Sequence, residues 1–287
     1  MAKLNVQGLS RREPLLMRAL VPDEGSILIS CDLASAEPTI VAEMSKDTVY
    51  RYAVSDGIGK VPFYKDGTLY IDDVYLMVMS RSPIGKDYIR DIFDNHKFPA
   101  GSFTGQWMVD KEVVLKEVKH QRNVHKIICL GLMYSMGPST MVSHMYNKGY
   151  TLALKDAKAF HSAFWTTFGG VKSFAKAAQR TVERDRRLVN PFGYRCVPEP
   201  HKAFNAYIQS SVNGIIGVLC AKMFAIAPYA RLITIIHDEL IVEVPKTQLE
   251  QFRIDAATAA RSLNEDLGWS IAIRTGFVTG GDWYDAK

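Results

Sequence analysis

Residues 232–245 read LITIIHDELIVEVP, two runs rich in β-branched side chains on either side of His237-Asp238-Glu239. Such side chains favour extended backbone, and a polar triplet between two of these runs predicts a hairpin with three polar residues at its tip. A second short apolar run, SILISCD at 26–32, follows the turn-like PDEG. It predicts a buried strand that ends in a carboxylate and delivers Asp32 to an edge. Two rigid strands therefore each present an aspartate, and everything else in the chain is read around that pair.

Between and beyond these strands the pattern is mostly helical. Helical spacing is seen over 37–45, over 113–133 with Lys116, Lys119, Arg122 and Lys126 interleaved, and over 156–187. The second of these ends near Gly137-Pro138, a stop signal, and the third is broken by Asn190-Pro191-Phe192-Gly193 before an extended YRCVP. Residues 200–225 predict a long, mostly apolar helix, and 248–266 another. The stretch 54–70 carries Gly and Pro punctuation and predicts loops or a small irregular insertion. No repeat or Gly/Ser tether divides the chain, so any second domain arises by insertion: a strand-carrying base interrupted by a helical block.

Composition narrows the class without choosing a function. A chain of 287 residues with 47% hydrophobic and 23% charged residues buries a real core. The net charge of +5 suits a polyanionic partner but decides nothing alone. No apolar run reaches the roughly 18 residues of a membrane span, and the first residues lack a secretory signal, so a cytoplasmic chain with no membrane partner is expected. Cys31, Cys129, Cys196 and Cys220 are far apart with no CxxC pair, which argues against a zinc site and a disulfide framework.

Two carboxylates on rigid strands suit magnesium, which keeps waters and substrate oxygens in its shell, and a pair of such ions is the requirement of phosphoryl transfer. Taken singly, an aspartate at a strand end or turn more often satisfies backbone donors. Arg122, Lys126, Leu130 and Tyr134 recur at four-residue intervals, so one helical face leads from two cations to two larger side chains. That face suits a nucleoside triphosphate; for an isolated helix it would read as a solvated basic stripe.

These residues carry a family resemblance. ISCDLASAEP (29–38) resembles motif A of the family A DNA polymerases, RNVHKIICLGLMYSMG (122–137) resembles motif B, and IIHDELIVEV (235–244) resembles motif C. LNVQGLSRRE (4–13) is similar to the segment just upstream of motif A, and FNAYIQSSVNG (204–214) to one between motifs B and C. The resemblance covers nearly the whole chain in the family's order. It implies an α+β fold: a right-hand palm of antiparallel strands with flanking helices, from 1–45 and 188–287, and an inserted, mostly helical fingers subdomain from 46–187. A long gap between Asp32 and Arg122 implies an insertion around 54–107.

The resemblance also implies roles. Two Mg2+ ions would be held by Asp32, Asp238 and the Leu33 carbonyl. The incoming dNTP would be held by Arg122, Lys126, Leu130, Tyr134, Glu37 and His237, with Lys126 also a proton donor to pyrophosphate. Primer-template DNA would be touched by Arg12, Asn205, Gln209, His237 and Glu239. Glu239 is either a helper in metal or primer positioning or a solvated carboxylate at the hairpin tip. Glu37 implies exclusion of a ribose 2′-hydroxyl, which with His237-Asp238-Glu239 argues against a single-subunit RNA polymerase or a reverse transcriptase.

The chain departs from the family at Leu130, where an aromatic is usual, and at Ser135, where glycine is usual. The resemblance begins shortly before motif A, and the ending GGDWYDAK looks phage-like and complete. The expectation is therefore one half of a split phage replicative polymerase, in the host cytoplasm if viral, with a second polypeptide supplying thumb and 3′-5′ exonuclease. The alternative is a non-catalytic DNA-binding subunit that keeps the polymerase fold.

Overall fold

A computed structural model describes residues 14–55, 63–65, 68–71, 73–82, 85–86 and 118–286, so Arg12 and most of the expected insertion lie outside the described residues. In chain order, α1 (Pro14–Arg18) and β1 (Ser26–Ala34) lead to α2 (Ala36–Ser45), α3 (Thr48–Val54), β2 (Phe63–Lys65), β3 (Thr68–Tyr70) and α4 (Val74–Met79). From Val118 onward come α5 (Lys119–Met133), α6 (Pro138–Asn147), α7 (Leu154–Thr167), α8 (Gly169–Asp185), β4 (Leu188–Val189) and β5 (Arg195–Cys196). Then follow α9 (Ala203–Ile226), β6 (Arg231–Ile236), β7 (Glu239–Pro245), α10 (Leu249–Leu267) and β8 (Arg274–Gly280). The elements form two compact units, one of Met1–Ile40, Asn190–Tyr194 and Gln209–Lys287, the other of Val41–Val189 and Arg195–Ile208.

The first unit is built on a four-stranded antiparallel sheet in the order β6-β7-β1-β8. Central position explains the sequence of β1: Leu28 to Cys31 are all buried, so the run does not alternate with solvent-facing residues, and its one polar member, Ser30, is buried too. Gly25, at φ +82°, closes the turn that starts the strand, with the Ser26 amide donating to the Asp23 carbonyl at 3.0 Å. A core of Met17, Leu28, Ile236, Ile241, Trp283 and Ala286 sits on the sheet, and α10 packs against β7 and β8. Gly268, left-handed at φ +59°, ends α10.

The second unit is helical. Asp47 ties two helix starts together: its Oδ1 accepts from the Tyr50 amide at 2.8 Å and its Oδ2 from the Gly170 amide at 2.7 Å. Edge-to-face aromatic contacts fill the centre, Tyr50 with Phe168 at 4.9 Å and Phe164 with Phe168 at 5.2 Å. α4, whose Val74 and Leu76–Met79 are all buried, packs on α5.

Several sequence expectations are corrected. The helical run does end at Met133, before Gly137-Pro138, but Pro138 also opens the next helix, α6, because proline at the first helical position loses no hydrogen bond. The helix expected over 156–187 is two, α7 and α8, parted at Phe168, whose ring is buried in the aromatic centre. The stretch 54–70 contains an antiparallel hairpin, β2 with β3. β8 was not anticipated, because an edge strand with alternating partial exposure, RTGFVTG, has no apolar run to announce it. The long helix, with the turn before it, spans 27 residues from Pro200 to Ile226 and has the length and mean hydropathy of a membrane-crossing helix, although polar residues interrupt any continuous apolar run. It is a core helix here, with Ile215, Leu219 and Met223 buried and Lys222 paired with Asp266 at 2.6 Å.

Candidate active site

In the sheet unit, β1 and β7 pair so that Asp32 lies opposite Glu239, and the Leu33 amide donates to the Asp238 carbonyl at 3.0 Å. Asp32, on β1, and Asp238, in the turn that enters β7, are thus brought side by side by the pairing of β1 with β7. Asp32 is the exposed residue of an otherwise buried strand end, and Asp238 is half-buried. The hairpin tip is His237 and Asp238 alone, with His237 left-handed at φ 56° as a two-residue turn demands.

Glu239 is therefore not at the tip. It is the first residue of β7, 6% exposed, and accepts a hydrogen bond from Ser30 Oγ at 2.5 Å. A polar side chain this buried needs hydrogen bonds, and Ser30, which no sequence pattern singles out, supplies one. Burial, aided by the Glu239 charge, pushes the Cys31 thiol well above its ordinary pKa, so this cysteine stays a thiol. Glu37 and Gln209, 172 residues apart, also meet: Gln209 Nε2 donates to Glu37 Oε1 at 2.5 Å. Among the described residues no cluster of three or more His, Cys, Asp or Glu is grouped to hold a metal.

In the helical unit, α5 presents Arg122, Lys126 and Leu130, with Tyr134 as its C-terminal cap residue. Its opposite face is buried through His125, Ile128, Cys129 and Leu132. Burial drives the His125 pKa down to about 4, although Nδ1 lies 2.8 Å from the Gln121 carbonyl; the ring is neutral at pH 7, its Nε2 3.2 Å from Ser82 Oγ. Lys126 and Tyr134 are exposed, and Leu130 is half-buried. Arg122 is already engaged: Asp73 Oδ2 accepts from its Nε at 2.9 Å and its Nη2 at 2.6 Å. Sequence reasoning missed Asp73, whose one local signal was an aspartate placed before the apolar run VYLMVM, a helix-start pattern. Asn205 Oδ1, another predicted contact, is buried without a hydrogen-bond partner.

Several other basic groups have acidic neighbours close in sequence. Lys202 reaches Glu199 at 2.6 Å, with His201 3.6 Å from the same oxygen, and Arg184 meets Asp185 at 2.7 Å.

The departure at Ser135 has a physical content. The Met136 amide donates back to the Gly131 carbonyl at 2.9 Å, closing α5 with a left-handed residue, and that residue is Ser135 at φ 63°. Glycine adopts this conformation without the steric cost a Cβ brings. Ser135→Gly is expected to stabilise the protein by about 0.5–1 kcal/mol, read as a higher denaturation midpoint in urea; an unchanged or lower midpoint would show that the serine side chain compensates.

The fold is that of a polymerase palm-and-fingers core. The POL domain of Pol1 from M. smegmatis, in complex with DNA primer-template and dNTP, superposes with a TM-score of 0.71 over 98% of this chain and 45% of that one, at 18% identity. The sequence profile of DNA polymerase family A matches residues 102–285. The chain belongs to DNA polymerase family A. It is 22% identical to the thermostable DNA polymerase I of Thermus filiformis, over 99% of this chain and 30% of that protein. With DNA polymerase I of Bacillus subtilis it shares 25% identity over 79% of this chain and 27% of the relative. The chain thus spans under a third of the length of these relatives.

Proposed function

We propose that this chain is the palm-and-fingers part of a template-directed DNA polymerase that adds dNTPs to a primer 3′ end. The observation that carries the reading is the pairing of β1 with β7, which sets Asp32 on β1 beside Asp238 in the turn that enters β7, joined through the Leu33 amide and the Asp238 carbonyl at 3.0 Å. Two carboxylates and a backbone carbonyl are hard oxygen donors, and the small number suits a cation that retains waters and substrate oxygens. Asp32, Asp238 and the Leu33 carbonyl therefore fit two Mg2+ ions, which when bound neutralise phosphate charge and activate the attacking oxygen.

In this reading the sheet-bearing unit is the palm and the helical unit the fingers. Arg122 and Lys126 bind the β- and γ-phosphates and stabilise charge on the departing pyrophosphate, Lys126 donating it a proton. Leu130 and Tyr134 lie against sugar and base. Arg12, Asn205, Gln209, His237 and Glu239 act on the primer-template near its growing end, where minor-groove acceptors are alike for every correct pair. The thumb and proofreading exonuclease come from a second polypeptide of a split phage replicative polymerase. The enzyme works in the cytoplasm, that of the host if it is viral.

Primer-template offered with magnesium and either deoxy- or ribonucleotides tests the reading. Extension with deoxynucleotides alone is expected. Tight DNA binding without extension, with the partner present, would instead favour the non-catalytic subunit, and long processive products from the lone chain would overturn the split arrangement. Gln209 fixes the Glu37 carboxylate in place, so Glu37→Ala is expected to raise ribonucleotide incorporation roughly tenfold relative to deoxynucleotide. An unchanged ratio in single-nucleotide kinetics would remove Glu37 from sugar selection.

A further inference from the structure

We propose that Asp73 is a positioning residue for the nucleotide triphosphate, acting by holding Arg122 in one orientation; the inference rests on the reading of α5 as the triphosphate-binding helix. Asp73 precedes α4, and its Oδ1 accepts from the Tyr75 amide at 3.0 Å and the Leu76 amide at 2.9 Å. Two backbone donors on one oxygen fix the other. Oδ2 then receives Arg122 Nε at 2.9 Å and Nη2 at 2.6 Å, and the Tyr75 ring lies 5.0 Å from the guanidinium carbon. The guanidinium is thus held along one edge and against one face. Its remaining N–H groups, on Nη1 and the far side of Nη2, form the open edge of the fork, the edge that pairs with two phosphate oxygens.

An arginine free to rotate would have to be ordered by each incoming nucleotide, whereas one already clamped is ordered beforehand. Asp73 also places a negative charge near the expected phosphate, and the two effects have opposite signs. The pair is partly exposed, with Arg122 at 28% and Asp73 at 12%, so solvent weakens the long-range repulsion, while the short charged hydrogen bonds that set orientation persist. Orientation wins, and removing the Asp73 charge therefore weakens triphosphate binding.

Asp73→Asn separates this from a merely structural role, because asparagine caps a helix as well as aspartate does and keeps α4 intact. Binding of fluorescent dATP and dAMP to the full chain is measured by anisotropy, with melting curves to verify folding and Asp73→Ser as a second capping variant. The expected result is about a tenfold higher Kd for dATP, the size of one charge-assisted contact, with little change for dAMP and no further loss when Asp73→Asn is added to Arg122→Ala. Unchanged or tighter dATP binding in Asp73→Asn, alongside weakened binding in Arg122→Ala, would overturn the positioning role. Unchanged dATP binding in Arg122→Ala would overturn the underlying reading of α5, and this inference with it.

Discussion

Asp238→Ala is expected to lose primer extension by at least about a thousandfold, the scale of removing charge stabilisation from a phosphoryl-transfer transition state, about 4 kcal/mol, while the fold stays intact. The separation of effects follows from which atoms do what. The backbone of Asp238, not its side chain, holds the sheet register: its carbonyl accepts from the Leu33 amide at 3.0 Å. Alanine keeps that carbonyl, and the left-handed residue of the turn is His237, which is untouched. The Asp238 carboxylate makes no hydrogen bond among the described residues, so its loss leaves no buried donor unsatisfied. Circular dichroism melts should match wild type within a degree or two. Extension of a primer by the variant at more than about a tenth of the wild-type rate would show that the pair of aspartates is not the reacting centre.

Gly280→Ala is expected to cost stability on a larger scale than any other single methyl added to the sheet unit, about 3 kcal/mol or more. A Cβ at this position would stand 2.3 Å from the Ala286 amide nitrogen, 2.5 Å from the Asp285 carbonyl carbon and 2.8 Å from the Asp282 carbonyl oxygen. All three are backbone, so no side chain can swing away. The segment they belong to is pinned from several directions. The Trp283 amide donates to the Leu20 carbonyl at 3.0 Å, and Arg18 pairs with Asp282 at 2.7 Å and Asp285 at 3.0 Å. Its apolar residues, Trp283 and Ala286, are fully buried against Leu28 and Ile241. Moving the turn to admit a methyl would loosen that core. Urea denaturation measures the effect, and a loss below about 1 kcal/mol would mean that the turn shifts as a body at little cost.

Much of the sheet unit was legible because β1, β6 and β7 are strands of ordinary local chemistry: β-branched runs, a turn of polar residues and a Gly-closed entry. The carboxylates were legible because each ends or follows such a run. The helix α5 was legible from its spacing, and its cations from their four-residue recurrence. β8 was not, since its stability comes from pairing with β1 and not from its own pattern. The break between α7 and α8 was not, because Phe168 leaves the helix to fill an aromatic centre assembled from distant residues.

The amino-acid sequence by itself determined β1, β6, β7 and α5, the segments that carry the two aspartates and the basic stripe, because local propensity and hydrophobic period act between near neighbours. Only tertiary structure decided that Glu239 is buried beneath Ser30, that Gln209 holds Glu37 and that Asp73 grips Arg122. Each of these contacts joins residues between 49 and 209 positions apart. Hydrogen bonds at such separations depend on how whole elements pack, and no local pattern carries that information.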